Sequence, residues 1–289
     1  MRKTIYFLLI ILIFISFFYL KRRKLELGTY TAYPNIYNYY PDVKSYICII
    51  RHGERYPTKN VFKKIDSNVG ITKYNDLTPR GYSNMYSYGK ILREMYPQIF
   101  NHNDKYVVYS TTIKRSLESA RAFLDGLNSN NSIIYGPNID SFLKINKFFL
   151  KQDVSGDVYS CQFANILHKQ YKDCDYRKIE MVEKIHDRIN YRSIILNHQK
   201  GLKLYIFLKL LIKKCLLSRE PHGSLFFCHD STLAPLFYYL NILPEENKFK
   251  NSEMLPFGAR IEILIDYNNN IILYLNGKYI NTRSNCEDF

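Results

Sequence analysis

Several features that identify common protein classes are missing from this sequence. No CxxC pair occurs among the six cysteines, which argues against a zinc site or a thioredoxin-like redox site. Twelve glycines and ten prolines are too few for a collagen-like or proline-rich repeat chain. No zinc finger, RNP motif or basic repeat occurs, so we expect no nucleic-acid partner. No pattern of residues requires a metal or an organic cofactor, and we expect neither.

The composition is that of a globular protein with an excess of positive charge. Hydrophobic residues make up 46% of the 289 residues and charged residues 23%, enough for one large domain or a core with a small insert. The net charge is +15, and the chain stays basic when the cluster near its N-terminus is set aside. This charge suits an anionic partner such as a phosphate ester or anionic lipid, although a general bias in composition explains it equally well.

The N-terminal segment has the pattern of a signal sequence. Residues 5–20 are almost wholly apolar and lie between Arg2-Lys3 and Lys21-Arg-Arg-Lys24. As a helix they would span about 24 Å, and no small-residue cleavage site precedes the basic run. We therefore interpret residues 1–24 as a signal anchor or a signal peptide, which predicts a membrane-anchored or secreted protein with an extracytoplasmic or lumenal catalytic domain.

Export would permit disulfides. Cys161 and Cys174 are the most plausible local bridge, whereas Cys48 and Cys228 lie in apolar runs and could equally be buried thiols.

Short apolar strands alternate with helical segments in the rest of the chain. The strands are predicted at 46–50, 105–109 and 224–227, and helices at 81–96, 117–127 and 232–240. This alternation predicts a parallel, helix-covered sheet, in which ligands bind beyond the carboxyl ends of the strands. Residues 201–217 are apolar nearly all round and predict a buried helix, and residues 262–275 predict a hairpin.

The first strand runs directly into Arg51-His-Gly-Glu-Arg-Tyr-Pro57. Arginine forks match phosphate oxygens, and a neutral imidazole among them can attack phosphorus and form a phosphohistidine. Nearby cations lower the pKa of the histidine and keep it neutral in mild acid. This motif is therefore the main candidate for a phosphoryl-transfer site.

Two further candidates follow the other predicted strands. Arg115 comes a few residues after the second strand and is a candidate third phosphate ligand. His229-Asp230 follows the third strand, where an aspartate beside a phosphate could protonate a leaving alkoxide. All three groups are expected at the same edge of the sheet.

These segments resemble the histidine acid phosphatases, the second branch of the histidine phosphatase superfamily. The first motif resembles the R-H-G-x-R-x-P signature of that family. Four further segments match in order and spacing: Leu77-Thr78 with Gly81, Gly89, Leu92-Arg93 and Tyr96; Ser110-Thr111 with Arg115, Ser119-Ala120, Leu124 and Gly126-Leu127; His229-Asp-Ser-Thr-Leu-Ala234; and Leu255-Pro-Phe-Gly258 with Ile261-Glu262.

The resemblance implies a role for each matched residue and an overall architecture. His52 would be the nucleophile and Asp230 the proton donor, while the phosphoryl group would be bound by Arg51, Arg55, Arg115 and His229. The implied fold is an α/β sandwich, with residues 25–127 and 198–289 as the catalytic core and residues 128–197 as a small α-helical cap.

The resemblance leaves the substrate open. It implies an acid phosphatase that hydrolyses phosphomonoesters through a phosphohistidine intermediate. Residues 51–58 also resemble the multiple inositol polyphosphate phosphatases, which usually carry H-A-E where this chain has His229-Asp230. An inositol polyphosphate phosphatase of the phytate-cleaving type is therefore the alternative, and a catalytically inactive membrane-bound binding protein is a third hypothesis. The expected partner is a small phosphomonoester, with a membrane contact through residues 5–20, and the sequence does not indicate an oligomeric state.

Overall fold

A computed structural model describes residues 42–56, 75–144, 198–242 and 255–283. The described residues form a seven-stranded sheet flanked by helices. The strands are β1 (Val43–Arg51), β2 (Tyr106–Ser110), β3 (Ile133–Ile134), β4 (His222–Cys228), β5 (Arg260–Asp266), β6 (Ile271–Leu275) and β7 (Lys278–Arg283). The helices are α1 (Pro79–Met95), α2 (Pro97–Phe100), α3 (Lys114–Leu127), α4 (Pro137–Leu143), α5 (His198–Leu217) and α6 (Asp230–Tyr239), and a 3-10 turn covers Asn103–Lys105.

The sheet is mixed, with the strand order β3-β2-β4-β1-β5-β6-β7. β1, β2, β3 and β4 run parallel to one another, as the alternation of strands and helices predicts. β5 is antiparallel to β1, and β6 and β7 continue as an antiparallel meander. The predictions of an α/β fold and of a hairpin within residues 262–275 are confirmed. The prediction of a parallel sheet is wrong at β5, which pairs antiparallel with β1. The turns after β5 and β6 are too short for a parallel crossover, so β6 and β7 continue the antiparallel part.

Both faces of the sheet are buried, and β1 shows how the sequence achieves this. Ile47 and Ile49 pack on the side of α5 and α6. Tyr46, Cys48 and Ile50 pack on the other side, against α1 and α3. Because successive side chains of a strand point to opposite faces, a continuous apolar strand fits a sheet covered on both sides. The core therefore consists of two apolar layers, one on each face of the sheet.

Glycines allow α1 and α3 to approach each other closely. A Cβ at Gly89 would lie 2.1 Å from the carbonyl oxygen of Phe123, and one at Gly126 would lie 2.0 Å from that of Tyr86. A third glycine, Gly81, faces the backbone of Glu54, where a Cβ would lie 2.2 Å from the carbonyl oxygen. Helix α1 is thus packed directly against both the loop after β1 and the helix after β2.

Helix α5 differs from the sequence prediction of a helix that is buried all round. Its inner side, with Leu204, Leu208 and Ile212, is fully buried. The opposite side carries apolar residues that are exposed, while the helix packs on α4, α6 and the sheet. The side chain of Lys44 contacts the carboxyl end of this helix, donating to the carbonyl oxygens of Leu216 (3.2 Å) and Ser218 (2.9 Å).

Several predictions fall wholly or partly outside the described residues. These are the signal anchor at residues 1–24, Pro57, most of the cap and the Cys161–Cys174 bridge. β3 lies in the stretch assigned to the cap and pairs with β2 at the edge of the sheet, while the domain division remains a prediction. Cys48, Cys215 and Cys228 are buried free thiols, which settles the alternatives left open for Cys48 and Cys228. Among the described helices, none combines the length and the apolar character needed to cross a membrane.

Candidate active site

The carboxyl ends of β1, β2 and β4 meet at one edge of the sheet. The amide of His52 donates to the carbonyl oxygen of Cys228 (2.9 Å), which joins the residues that follow β1 and β4. The amide of Thr111, directly after β2, donates to the carbonyl oxygen of Phe227 (3.1 Å). The amide of Gly258 donates to the carbonyl oxygen of His52 (3.1 Å), which adds the segment before β5. Four segments that are distant in sequence therefore meet around His52.

His52 is buried in a hydrogen-bonded arrangement that defines its tautomer. Its Nδ1 lies 2.8 Å from the carbonyl oxygen of Gly53. A carbonyl oxygen only accepts, so Nδ1 carries the proton and Nε2 carries the lone pair. The guanidinium Nε of Arg115 donates to this Nε2 at 3.0 Å. Burial lowers the pKa of His52 well below its usual value of 6.5, and the cations of Arg115, Arg51 and Arg55, together with His229, lower it further.

Arg51 and Arg55 lie on the same apolar platform, the ring of Phe257. The guanidinium carbon of Arg51 lies 4.4 Å from the ring centroid and that of Arg55 lies 5.9 Å away. The imidazole of His52 packs against the same ring at 5.7 Å. Arg51 also donates through Nη1 to the carbonyl oxygen of Leu255. The segment 255–258 therefore holds the two arginines and the histidine in place.

His229 faces His52 with its ring edge-on, at a centroid distance of 5.4 Å. Its Nδ1 lies 3.5 Å from an Arg115 guanidinium nitrogen, which can only donate. Nε2 then carries the proton and donates to the hydroxyl of Thr111 at 3.1 Å. Burial lowers the pKa of His229 to about 3, with Arg115 as the next cause and Asp230 opposing. His229 is therefore a neutral donor in the folded protein.

Asp230 is the first residue of α6. Its Oδ2 lies 3.8 Å from a terminal nitrogen of Arg51, and its Oδ1 accepts from the amide of Ser231 (2.8 Å). The side chain is 16% exposed, whereas that of Arg51 is 4% exposed. The carboxylate thus lies at the rim of the cationic group, where it can reach both a bound ester and solvent.

Two contacts join the loop after β1, residues 52–55, to the neighbouring helices. The hydroxyl of Ser119 accepts from the amide of Gly53 (2.9 Å) and donates to the carbonyl oxygen of Arg115 (2.7 Å). The hydroxyl of Thr78, the N-cap of α1, donates to the carboxylate of Glu54 (2.9 Å) and accepts from the amide of Gly81 (3.0 Å). The loop that carries His52 is therefore fixed to both α1 and α3.

The structure brings together all six residues predicted for the site. Arg51, His52 and Arg55 come from the end of β1, Arg115 from the start of α3, and His229 and Asp230 from the end of β4. Sequence reasoning assigned no role to Thr111, Ser119 or Phe257. All three lie in segments that matched the family pattern, but their contacts depend on strands and helices that are distant in sequence.

Glu262, which also belongs to a matched segment, lies in the core and not at the site. Its carboxylate accepts from the Tyr46 hydroxyl (2.6 Å) and pairs with Arg260 (3.1 Å). The guanidinium of Arg260 in turn lies 4.6 Å from the ring centroid of Tyr88. This buried ion pair lies on β5 and is joined to β1 by the hydrogen bond from Tyr46.

The described residues contain no group of three or more His, Cys, Asp or Glu side chains arranged to hold a metal ion. The positive charges that converge on the site are those of arginines. A phosphoryl group is the ligand that this arrangement fits, because guanidinium groups supply paired donors to its oxygens.

Comparisons with known proteins agree with this arrangement. The sequence pattern of the Histidine phosphatase superfamily (branch 2) matches residues 42–200, more than half of the chain. The chain belongs to this family, and membership supports a phosphatase activity. A comparison with curated proteins found no match.

Solved structures with the same fold include two phytases and an inositol polyphosphate phosphatase. The phytase from D. castellii is 15% identical, with 88% of this chain and 79% of that chain covered and a TM-score of 0.67. The Hafnia alvei phytase in complex with myo-inositol hexakis sulphate is 13% identical, with coverages of 81% and 84% and a TM-score of 0.56. The Bifidobacterium longum multiple inositol polyphosphate phosphatase in complex with phosphate is 10% identical, with coverages of 90% and 93% and a TM-score of 0.61.

Proposed function

We propose that this protein is an acid phosphatase that hydrolyses phosphomonoesters through a phosphohistidine at His52. The observation that carries the proposal is the tautomer of His52 and the direction of its free lone pair. Its Nδ1 proton is held by the Gly53 carbonyl, so the lone pair of Nε2 is directed into a group of three arginines. A neutral, oriented imidazole beside a phosphate-binding cation cluster is the arrangement that nucleophilic attack on phosphorus needs.

The first half-reaction forms the phosphoenzyme. The phosphoryl oxygens bind Arg51, Arg55, Arg115 and His229, and the guanidinium of Arg115 leaves His52 Nε2 to contact the phosphate. Nε2 then attacks phosphorus as the bond to the ester oxygen breaks. Protonated Asp230 donates its proton to the departing alkoxide. The arginines stabilise the charge on the equatorial oxygens in the transition state.

The second half-reaction regenerates the enzyme. Asp230, now a carboxylate, accepts a proton from water as the water oxygen attacks phosphorus. The bond from phosphorus to Nε2 breaks, inorganic phosphate forms, and His52 returns to its neutral state. Because the pKa of His52 is lowered well below 6.5, its nucleophilic form persists in mild acid. This persistence supports an activity that is retained in acid.

The alternative is an inositol polyphosphate phosphatase. The similar structures include phytases and a multiple inositol polyphosphate phosphatase, and the basic charge of the chain suits a polyanionic substrate. The two hypotheses share the same chemistry and differ in the substrate.

The test is phosphate release by the full chain from p-nitrophenyl phosphate and from phytate, between about pH 3 and pH 8. The acid phosphatase hypothesis predicts release from both substrates, with loss of both activities in His52→Ala. A strong preference for phytate would instead favour the alternative. A folded protein that releases phosphate from neither would support the inactive binding protein and overturn the proposal.

An exposed glycosylation sequon offers a test of the predicted extracytoplasmic or lumenal location of the catalytic domain. Asn130-Asn-Ser132 is an N-x-S sequence, and Asn130 is exposed in the loop between α3 and β3. A lumenal or external catalytic domain would carry a glycan on Asn130. We expect a mass shift with an endoglycosidase that is lost in Asn130→Gln. If the protein instead shows no such shift and is modified at sites that only the cytoplasm can reach, the predicted lumenal or external location is wrong.

A further inference from the structure

The outward side of helix α5 presents a row of apolar side chains. Leu202, Ile206, Leu210 and Leu217 are 42%, 49%, 64% and 81% exposed. With 3.6 residues per turn, these positions lie on one side of the helix, opposite the buried Leu204, Leu208 and Ile212. One exposed apolar residue is ordinary, but four on one helix face form an apolar strip.

Lysines accompany this strip. At 100° per residue, Lys203 and Lys214 lie along one edge of the strip, Lys209 lies along the other, and Lys213 lies within it. Lys203, Lys213 and Lys214 are exposed. The whole helix contains no aspartate or glutamate. The surface formed by the four apolar residues and these four lysines, which we name the α5 outer face, is therefore both apolar and uniformly basic.

Tyrosines extend the α5 outer face towards α6. Tyr205 of α5 stacks on Tyr239 of α6 at a centroid distance of 4.6 Å. The neighbouring Tyr238 packs edge-on against Tyr239 and is 47% exposed. Tyrosine, with an apolar ring and a polar tip, is enriched where a protein meets the boundary between lipid tails and water.

We propose that the α5 outer face lies on the surface of an anionic lipid bilayer. The leucines and the isoleucine would enter the boundary between headgroups and acyl chains, and the lysine ammonium groups would reach lipid phosphates on their flexible stems. A second copy of this chain fits poorly, because lysines would meet lysines across the interface. The contact lies in the plane of the membrane surface, since the inner side of α5 belongs to the core. It is independent of the apolar segment 5–20 and of the proposed catalytic activity.

The test must separate this contact from any insertion of the N-terminal segment, so it uses a local readout on the full chain. The protein is placed with vesicles of phosphatidylcholine, with or without phosphatidylserine, that contain a photoactivatable phospholipid. After illumination, the cross-linked peptides are identified by mass spectrometry. We expect lipid adducts on residues 202–217 with phosphatidylserine present, and a yield roughly tenfold lower in its absence.

Two variants and a matched control make the test specific. The charge variant K203Q/K213Q/K214Q removes three exposed lysines, and the apolar variant I206Q/L210Q removes two exposed hydrophobic residues. Each should reduce adducts on α5 roughly tenfold with phosphatidylserine present, without lowering the thermal unfolding temperature. The control Y267Q/Y279Q replaces two tyrosines, both 53% exposed, that lie in the turn after β5 and on β7. It should leave the α5 adducts unchanged.

Three results would overturn the proposal. The first is that adducts occur on residues 1–41 and none occur on α5. The second is that the adducts on α5 are equally abundant without phosphatidylserine. The third is that α5 cross-links to another protein chain and not to lipid.

Discussion

The Nε atom of Arg115 donates to the Nε2 atom of His52 at 3.0 Å, so a cation lies against the atom that we propose attacks phosphorus. The same cation is the second cause, after burial, of the lowered pKa of His52. Arg115 therefore has two effects in the account: it binds the phosphoryl group, and it keeps the nucleophile neutral. Substitutions can separate these effects because lysine retains the charge but not the planar fork.

We predict that Arg115→Lys lowers kcat/KM about 100-fold and that Arg115→Ala lowers it further. Loss of the positive charge in Arg115→Ala also raises the pKa of His52, so the acid limb of its pH–rate profile moves to higher pH. The matched control is Arg121→Ala, because Arg121 is an exposed arginine on the same helix. Steady-state kinetics across the pH range are the measurement, and equal losses at positions 115 and 121 would contradict the assignment.

Asp230→Asn tests the proton donor. The variant keeps the shape of the side chain and loses the acid, so kcat/KM should fall about 10²- to 10⁴-fold for esters of simple alcohols. This parameter reports the steps up to release of the alcohol, and the later hydrolysis of the phosphoenzyme does not affect it. The loss should be far smaller for p-nitrophenyl phosphate, because p-nitrophenolate leaves without protonation. Comparing the two ester classes in one variant provides an internal control for folding. Similar losses for both classes would exclude Asp230 as the acid.

The two buried histidines make stability dependent on pH. The pKa of His52 is lowered well below 6.5 and that of His229 is lowered to about 3, so between about pH 6.5 and pH 3 the unfolded chain binds more protons than the folded one. The free energy of unfolding should therefore decrease as the pH is lowered through that window, by up to about 1.4 kcal/mol per pH unit for each histidine.

Urea unfolding between about pH 7 and pH 4 measures this effect. His229→Gln removes one of the two groups and should make the slope shallower, whereas replacement of the exposed His102 by glutamine should not change it. If the slopes of the wild type and His229→Gln coincide, His229 is not held neutral by the fold.

Ser119 is predicted to position two groups at once, because its hydroxyl joins the Gly53 amide to the Arg115 carbonyl. Ser119→Ala should lower kcat roughly tenfold at a temperature where the variant is fully folded. Ser116→Ala is the matched control, since Ser116 is also buried on α3 and its hydroxyl makes only a long contact (3.5 Å) with the carbonyl oxygen of Cys228. If both variants lose stability but neither loses kcat, Ser119 has a purely structural role.

The sequence predicts the site better than it predicts the fold around it. Arg51, His52 and Arg55 directly follow an apolar strand, and the rule that ligands bind at the carboxyl ends of parallel strands was enough to place them with His229. The contacts of Ser119, Thr111 and Phe257 could not be predicted, because each joins segments whose neighbours are fixed only by strand order.

The two errors in the fold have related causes. The hairpin of β5 and β6 was predicted from its turn, but local sequence does not show that β5 pairs antiparallel with β1. The apolar residues of α5 predict burial on all sides. Hydropathy alone does not distinguish a buried residue from an exposed one such as Leu210, and the lysines between the apolar positions were the sign that one side faces outward.

Trapping the phosphoenzyme would show whether phosphorus becomes bonded to Nε2 of His52, the step on which the proposed mechanism depends. Asp230→Asn would be mixed with phosphorus-labelled p-nitrophenyl phosphate and quenched in alkali, where phosphohistidine survives, and the labelled residue would be mapped by mass spectrometry. We predict label on His52, together with a burst of p-nitrophenol, and neither in His52→Ala. Hydrolysis of the ester with no label on His52, or with label on another residue, would contradict the proposed mechanism.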